Sequence, residues 1–376
     1  MEHIYKKILK YDNTWCKFMG FQNPYLDNIS QKFTRKLPMF DRPAYNLYPK
    51  WNFVYDKLWV TESQNLNGGT IENIRKTNHI NYPIFIKPRW GHESASSKNC
   101  FKINSYEELQ KYKHLDDMMW SEYIDGVENM TDFILINGDI VYELTYLYSK
   151  EQNGYTEVYK YISPNNECPK HIRRWVKQYL NGYTGAVNVQ YRDNYIIEVG
   201  LRLARGGAYL QATQNPNIIK LINDAYDSNS YNPVNRKDLN FKPYYSFKCF
   251  TRFPIIYLYP QYFIDIYMKL IGSKNFYEYY FEPNGNDGCV FIQFLHENKN
   301  KGILASNVLT FLFILIQLFF IIFFISILYV LFKYKFNTKI ASMIMLFVIL
   351  YLSQYINPIN VHYNLSKAKR QKKWFF

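Results

Sequence analysis

Two stretches of this chain carry side chains suited to phosphate chemistry, about a hundred residues apart. Pro83-Ile84-Phe85-Ile86-Lys87-Pro88 is an apolar run ending on a lysine, and it passes into Arg89-Trp90-Gly91-His92-Glu93-Ser94-Ala95-Ser96-Ser97-Lys98. A lysine ammonium is a point charge that meets phosphate oxygens without fixed geometry. A loop holding Gly91, Ser94, Ser96 and Ser97 offers backbone N–H groups and hydroxyls to the same oxygens. The second stretch is Tyr195-Ile196-Ile197-Glu198-Val199, followed by Gly200-Leu201-Arg202. Burying a carboxylate among such neighbours is costly unless a cation meets it. Glu198 is therefore a candidate magnesium ligand, with Gln190 a neutral oxygen on the preceding strand. Arg202, and Arg205 before Gly206-Gly207, add cationic groups just beyond this strand. Taken singly, the lysine also fits a strand end in solvent, and the serine loop an ordinary polar hairpin.

The elements that must position these groups follow from periodicity. Asp56–Thr61 opens a helix-like stretch that ends near the turn signal Asn67-Gly68-Gly69. Ile84–Lys87 and Cys100–Ile103 read as strands, and Ser105 starts a helix whose Glu108 closes a capping box. Trp120–Ile124, Asp132–Ile136, Ile140–Tyr148 and Val158–Ile162 read as strands, with a turn at Asn137-Gly138-Asp139. Pro169–Leu180 is helical, and Gly185–Tyr191 pairs with Tyr195–Val199 about Asp193-Asn194. Residues 1–50, with prolines at 24, 38, 43 and 49, predict short helices and loops. Antiparallel hairpins with helices between them make the fold class α+β.

In this order the segments resemble an ATP-grasp domain, over roughly Asp56 to Asp227. Ile84-Phe85-Ile86-Lys87-Pro88 matches the family's lysine strand, and Gly91–Ser97 its flexible small-residue loop. Glu122-Tyr123-Ile124-Asp125-Gly126-Val127-Glu128 matches its E-x-I-x-G-x-E hinge, which Asp132 and the hairpin at Gly138 continue. Gln190 … Ile197-Glu198-Val199-Gly200-Leu201-Arg202 resembles its Q … I-E-x-N-x-R block. The resemblance implies a two-subdomain fold that binds ATP and Mg2+. Lys87 and the loop would hold phosphates, Glu122, Tyr123 and Ile124 the adenine edge, and Glu128 the ribose, though Glu128 also fits a solvated turn acid. Glu198 and Gln190 would hold magnesium, and Arg202 and Arg205 would serve catalysis. The implied reaction is a carboxylate–amine ligation through an acyl-phosphate, on small-molecule carboxylate and amine substrates.

Two departures bear on that expectation. Gly200 stands where the family has a metal-binding asparagine, which thins the magnesium site. Only about eighty residues precede Lys87. The acceptor pocket is then either reduced, or completed by residues 231–300 or by a partner, as a homo-oligomer or with another protein. A catalytically inactive nucleotide-binding or scaffold protein is the alternative function.

Charge and hydropathy set the surroundings. The formal net charge is +14, but residues 333–376 carry +8 without one acid and residues 303–332 carry none, leaving +6 for residues 1–302. The basic excess flanks an apolar run and favours anionic headgroups, so nucleic acid is not the expected partner. Ile303–Phe332 would make a helix of about 45 Å, ample for about 30 Å of hydrocarbon. Ile340–Ile356 is a shorter candidate crossing, with an interfacial or re-entrant segment as its alternative, and the basic tail favours a hairpin with both ends cytosolic. The expected layout is residues 1–82 as a short N-terminal region and 83–300 as the ATP-grasp-like domain. Residues 303–332 and 340–356 follow as membrane helices, and 357–376 as a basic tail. Met1–Lys7 lacks a long apolar run, so no signal peptide is expected. The five cysteines form no CxxC pair and predict a reduced compartment. The seven histidines show no metal spacing.

Overall fold

The computed structural model describes residues 32–74, 80–93, 99–153, 156–230, 233–251, 261–283, 289–333 and 343–344. They divide into two compact units, Asn28–Lys150 with Lys160–Pro243, and Glu151–Tyr159 with Tyr244–Phe376. The architecture is mixed α/β. The expected 83–300 domain draws residues from both units.

In the Asn28–Pro243 unit, a short N-terminal helix, α1 (Asp41–Leu47), and a second, α2 (Lys57–Glu62), precede two antiparallel sheets. The smaller sheet joins β1 (Gly68–Thr70), β2 (Ile84–Pro88), β3 (Phe101–Ile103) and β4 (Met118–Glu122) in the order β1-β4-β2-β3. Period-two alternation sends Ile84 and Ile86 into a core with Ile71, Ile74, Ile103, Leu109 and Met118, which leaves Lys87 on the opposite face. The Gly68-Gly69 dipeptide is strand rather than turn, pairing with Ser121 and Trp120. A Cβ at Gly69 would lie 2.9 Å from Trp120 Nε1, so a bare backbone is what fits against the indole. Ser105 caps helix α3 (Tyr106–Leu109), its Oγ accepting from Glu108 N at 3.2 Å. The Glu108 carboxylate reaches back to Asn104 N at 2.8 Å, one residue beyond the usual capping-box partner.

The larger sheet of this unit joins β5 (Glu128–Ile136), β6 (Asp139–Tyr148), β7 (Tyr159–Ile162), β8 (Gly185–Arg192) and β9 (Tyr195–Gly200). Their order is β9-β8-β5-β6-β7, and every pair is antiparallel. Register sets Asp132 opposite Asn188 and Asn188 opposite Gly200, then Met130 opposite Gln190 and Gln190 opposite Glu198. Paired residues share a face, so Asp132, Asn188, Gln190 and Glu198 lie on one side of the sheet. Phe133, Val187, Val189, Val199 and Leu201 turn to the other side and are buried there with Val54, Tyr55 and Val60. Helix α4 (Lys170–Tyr179) covers that side with Ile172, Trp175 and Val176, an apolar stripe at helical spacing. Helices α5 (Ala208–Ala212) and α6 (Pro216–Asp227) follow, α6 starting under an Asn215 cap.

In the second unit, β10 (Tyr244–Thr251), β11 (Lys274–Pro283) and β12 (Cys289–His296) form antiparallel pairs in the order β10-β12-β11, with α7 (Gln261–Leu270) and the long α8 (Lys299–Lys333). The start of α8 buries Ala305, Leu309 and Phe313 against Phe247, Cys249, Ile292 and Phe294. Phe313 stacks on Phe291 at 4.3 Å. Farther along, Leu315, Leu318, Phe319 and Ile322 are exposed. Within α8, Lys299–Phe323 holds an 18-residue window of mean hydropathy 2.4 and is the one helix among the described residues long and apolar enough to cross a membrane. The expected second crossing, Ile340–Ile356, lies outside the described residues except for Met343 and Ile344, and so does the 357–376 tail.

Candidate functional site

Leaving the apolar core at the end of β2, the Lys87 side chain is buried and donates from Nζ to Ile197 O on β9 at 2.8 Å. That bond joins the two stretches whose residue types suit phosphates. Burial pushes the Lys87 ammonium down to a pKa of about 8, the charge of Lys57 acts in the same direction, and Glu198, Cys100 and Glu128 act against it. Cys100 is pushed up to about 11 by burial, against Lys57 and Lys87, and stays a thiol at neutral pH.

Lys57 belongs to the same cluster. The Asp56 carboxylate accepts from Leu58 N at 3.0 Å and so caps α2. It is also held by Arg89, Nε at 2.8 Å and the terminal nitrogen at 2.5 Å. Lys57 N donates to Arg89 O at 3.0 Å and Gly91 N to Tyr55 O at 2.8 Å, so residues 55–57 run beside residues 89–91 as a short ladder. The result sets Lys57 Nζ 3.7 Å from Glu198 Oε2, with the lysine side chain 5% exposed and the glutamate 32%. Gln190 faces Glu198 across the β8–β9 pair. A Cβ on Gly91 would stand 3.7 Å from Glu198 Oε1, so the loop begins directly over this carboxylate. Glu93 in that loop accepts from Arg42 at 2.6 Å, and His92 stacks on Tyr45 at 3.7 Å. Ser94, Ser96 and Ser97 lie outside the described residues.

At the far end of β9, Arg202 grips Asp41 of α1 with two nitrogens, each 3.0 Å from a different carboxylate oxygen, and reaches Asn188 Oδ1 at 3.3 Å. Burial opposes its charge, but Asp41 and Tyr55 more than offset this, and its pKa is raised. Leu201 N donates to Tyr55 Oη at 2.9 Å. A Cβ at Gly200 would come within 2.7 Å of Asp41 Oδ1, so the Asp41 carboxylate fills the space a side chain at 200 would take. Asp132, 1% exposed, accepts from Tyr146 Oη at 2.7 Å, Asn188 Nδ2 at 2.8 Å and Ala204 N at 2.9 Å. Burial outweighs these donors and raises its pKa to about 6.

Elsewhere the expected residues are held more locally. Glu122 accepts from both Asn67 nitrogens, and its own N donates to Asn67 O at 3.1 Å. Tyr123 N donates to Pro83 O at 3.3 Å, and its ring lies 4.0 Å from Lys102 Nζ. Ile124 is half-buried. Glu128 pairs with Arg192 at 3.5 Å across β5 and β8. Arg205 is half-buried in a left-handed turn, φ 48°, just before Gly206.

The structure thus brings Lys87, Gly91, Gln190 and Glu198 together, and adds Lys57, Asp56, Tyr55 and Asp41, which motif spacing did not single out. Lys57 carries one legible signal, since a cation in the first turn of a helix opposes the macrodipole and needs a local reason. Asp41 carries none, because an acid in a first turn is ordinary.

Two buried ammonium groups against one carboxylate suit phosphate oxygens, so the cluster fits the polyphosphate of ATP. At a nucleotide site magnesium takes near-octahedral oxygens, one or two of them from protein carboxylates and the rest from phosphates and waters. Among the described residues no three His, Cys, Asp or Glu side chains gather to hold a metal ion. Glu198 is met by Lys57, Asp41 by Arg202, and position 200 offers no side chain. These residues do not fit the magnesium site implied by the family resemblance.

No family model and no curated protein matches the chain. Solved structures to which it is similar include L-amino acid ligase from Bacillus licheniformis, at 14% identity and TM-score 0.45, covering 67% of this chain and 68% of that one. Another is carboxyaminoimidazole ribonucleotide synthase from Aspergillus clavatus complexed with ATP, at 11% identity and TM-score 0.49, covering 70% and 77%. A third is biotin carboxylase from Campylobacter jejuni, at 13% identity and TM-score 0.42, covering 70% of each. At TM-scores below 0.5 these likenesses decide neither family nor activity.

Proposed function

We propose that the unit holding Lys87 and Glu198 binds ATP as an ATP-grasp-like domain of the carboxylate–amine ligase type, and that α8 anchors it at a membrane. One observation carries this reading, the 2.8 Å bond from Lys87 Nζ to Ile197 O, which docks the lysine strand on the glutamate strand. The triphosphate would lie against Lys57 and Lys87 beneath the Gly91 loop, the adenine along Glu122–Ile124 and the ribose toward Glu128. In the ligase reaction a carboxylate oxygen would attack the γ-phosphorus, ADP would leave, and an amine would displace inorganic phosphate from the acyl-phosphate. Small-molecule carboxylates and amines are the substrate class. A homo-oligomer or protein partner is the proposed means of completing the acceptor pocket.

A second reading, nucleotide binding without turnover, is favoured by two specific pairings. Glu198 is tied to Lys57, and Arg202 to Asp41, so neither the acid nor the guanidinium carries an uncompensated charge toward a reacting phosphoryl group. Both readings share the same first test. A charge-assisted contact is worth about 1.5–3 kcal/mol, so Lys87→Ala should weaken ATP binding to the full-length protein roughly tenfold or more. An unchanged dissociation constant would remove this site from consideration. ADP release with mixed carboxylates and amines then separates ligase from silent binder.

A further inference from the structure

We propose that Lys57 supplies from the chain itself the positive charge that a metal ion would bring to Glu198, so that the site takes a nucleoside triphosphate as its metal-free anion. The inference rests on the nucleotide reading above and deepens it. Four observations converge on it. Lys57 Nζ stands 3.7 Å from Glu198 Oε2, and almost the whole lysine side chain is out of water. Its backbone is fixed twice over, by the Asp56 cap of α2 and by the ladder between residues 55–57 and 89–91. Lys87 reaches the carbonyl of the residue immediately before Glu198, so the two ammonium groups approach one short piece of β9. Finally, a second carboxylate that would help Glu198 hold a metal is committed or absent. Asp41 is gripped by Arg202, Gln190 is neutral, and position 200 is glycine.

The electrostatics follow from that arrangement. Lys57 and Lys87 are positive, Glu198 is negative, the Cys100 thiol is neutral, and Glu128 is paired with Arg192. The cluster is therefore net positive in a poorly screened setting. A divalent cation approaching Glu198 would be repelled by both lysines. A polyphosphate anion would be attracted by both, and the carboxylate between them would keep Lys57 in place for the incoming oxygens. Lysine suits this role because its ammonium is a compact charge with three donors that rotate to meet phosphate oxygens.

The test uses the full-length protein in detergent micelles, with ATP titrated calorimetrically in EDTA and again in magnesium chloride. Wild type should bind ATP in EDTA at least as tightly as in magnesium. Lys57→Met, which keeps the length and removes the charge, should lose about tenfold or more of the affinity in EDTA and should become magnesium-dependent as Glu198 is freed. Circular dichroism on each variant confirms that it is folded. If wild type binds ATP only with magnesium, the inference falls while the nucleotide reading stands. Unaltered affinity of a folded Lys57→Met variant in EDTA also overturns it. Failure of folded wild type to bind ATP in either buffer removes both.

Discussion

Asp132 is a carboxylate with three donors and almost no water, and the balance between those two facts sets its behaviour. Tyr146, Asn188 and Ala204 N favour the ionised form, and Arg202 adds a weaker pull, yet burial dominates and lifts the pKa to about 6. A raised carboxylate pKa means that the folded protein holds its proton to higher pH than the unfolded chain does. The stabilisation is therefore fully present below about pH 4 and is lost as pH rises through about 6. Two pKa units correspond to about 3 kcal/mol. Subtracting the melting profile of Asp132→Asn from that of wild type should thus expose a decline in stability between about pH 4 and 6.5. Parallel profiles would mean that Asp132 titrates normally. The same residue illustrates what the sequence conveys. Its place on β5 follows from alternation, but its three donors come from β6, β8 and the segment after β9, and no local pattern announces them.

At the scale of elements, the N-terminal helices do work that the sequence leaves illegible. Residues 1–50 show little periodicity, so α1 is expected only as one of several short helices. Its significance lies in a contact 161 residues away, Asp41 to Arg202, and in the space at Gly200 that the Asp41 carboxylate fills. Gly200→Ala should push that carboxylate aside and cost about 1–3 kcal/mol as an overpacking defect. In a unit of this size that lowers the melting temperature by roughly 2–10 °C. In an Asp41→Ala background the same change should cost much less, because neighbours that share a contact are not additive. Equal costs in both backgrounds would show that α1 does not dock on this end of β9. Strands β2 to β9, by contrast, are legible to within a few residues from apolar, β-branched and aromatic runs bounded by turn residues. Strands β10 to β12 are not singled out that way, and neither is β1, where Gly68-Gly69 looks like a turn and the close indole of Trp120, invisible in the local sequence, explains the glycines.

At the scale of the whole molecule, α8 combines a packed start with an apolar continuation that the described residues cover only in part, at Ile316 and Gln317. Exposed Leu315, Leu318, Phe319 and Ile322 are explained if lipid surrounds them. A charged residue at the centre of a spanning helix costs about 2.5–3.5 kcal/mol on insertion scales. Leu318→Lys with Ile322→Lys should therefore shift the full-length protein from the carbonate-resistant membrane pellet toward the supernatant. A wild-type protein that washes off membranes in carbonate would contradict the anchor. The long apolar run of α8 is the part most legible from sequence, because thirty uncharged residues need no tertiary contact to be noticed. The cluster around Lys87 and Glu198 is the part least legible, because Lys57, Asp56 and Asp41 reach it from segments with no motif of their own.

The measurement that tests the account most directly is calorimetric titration of ATP into the full-length protein, with Lys87→Ala alongside. The account predicts saturable binding that weakens about tenfold or more in the variant. Equal affinity in the two proteins, or no binding by folded wild type, would contradict it.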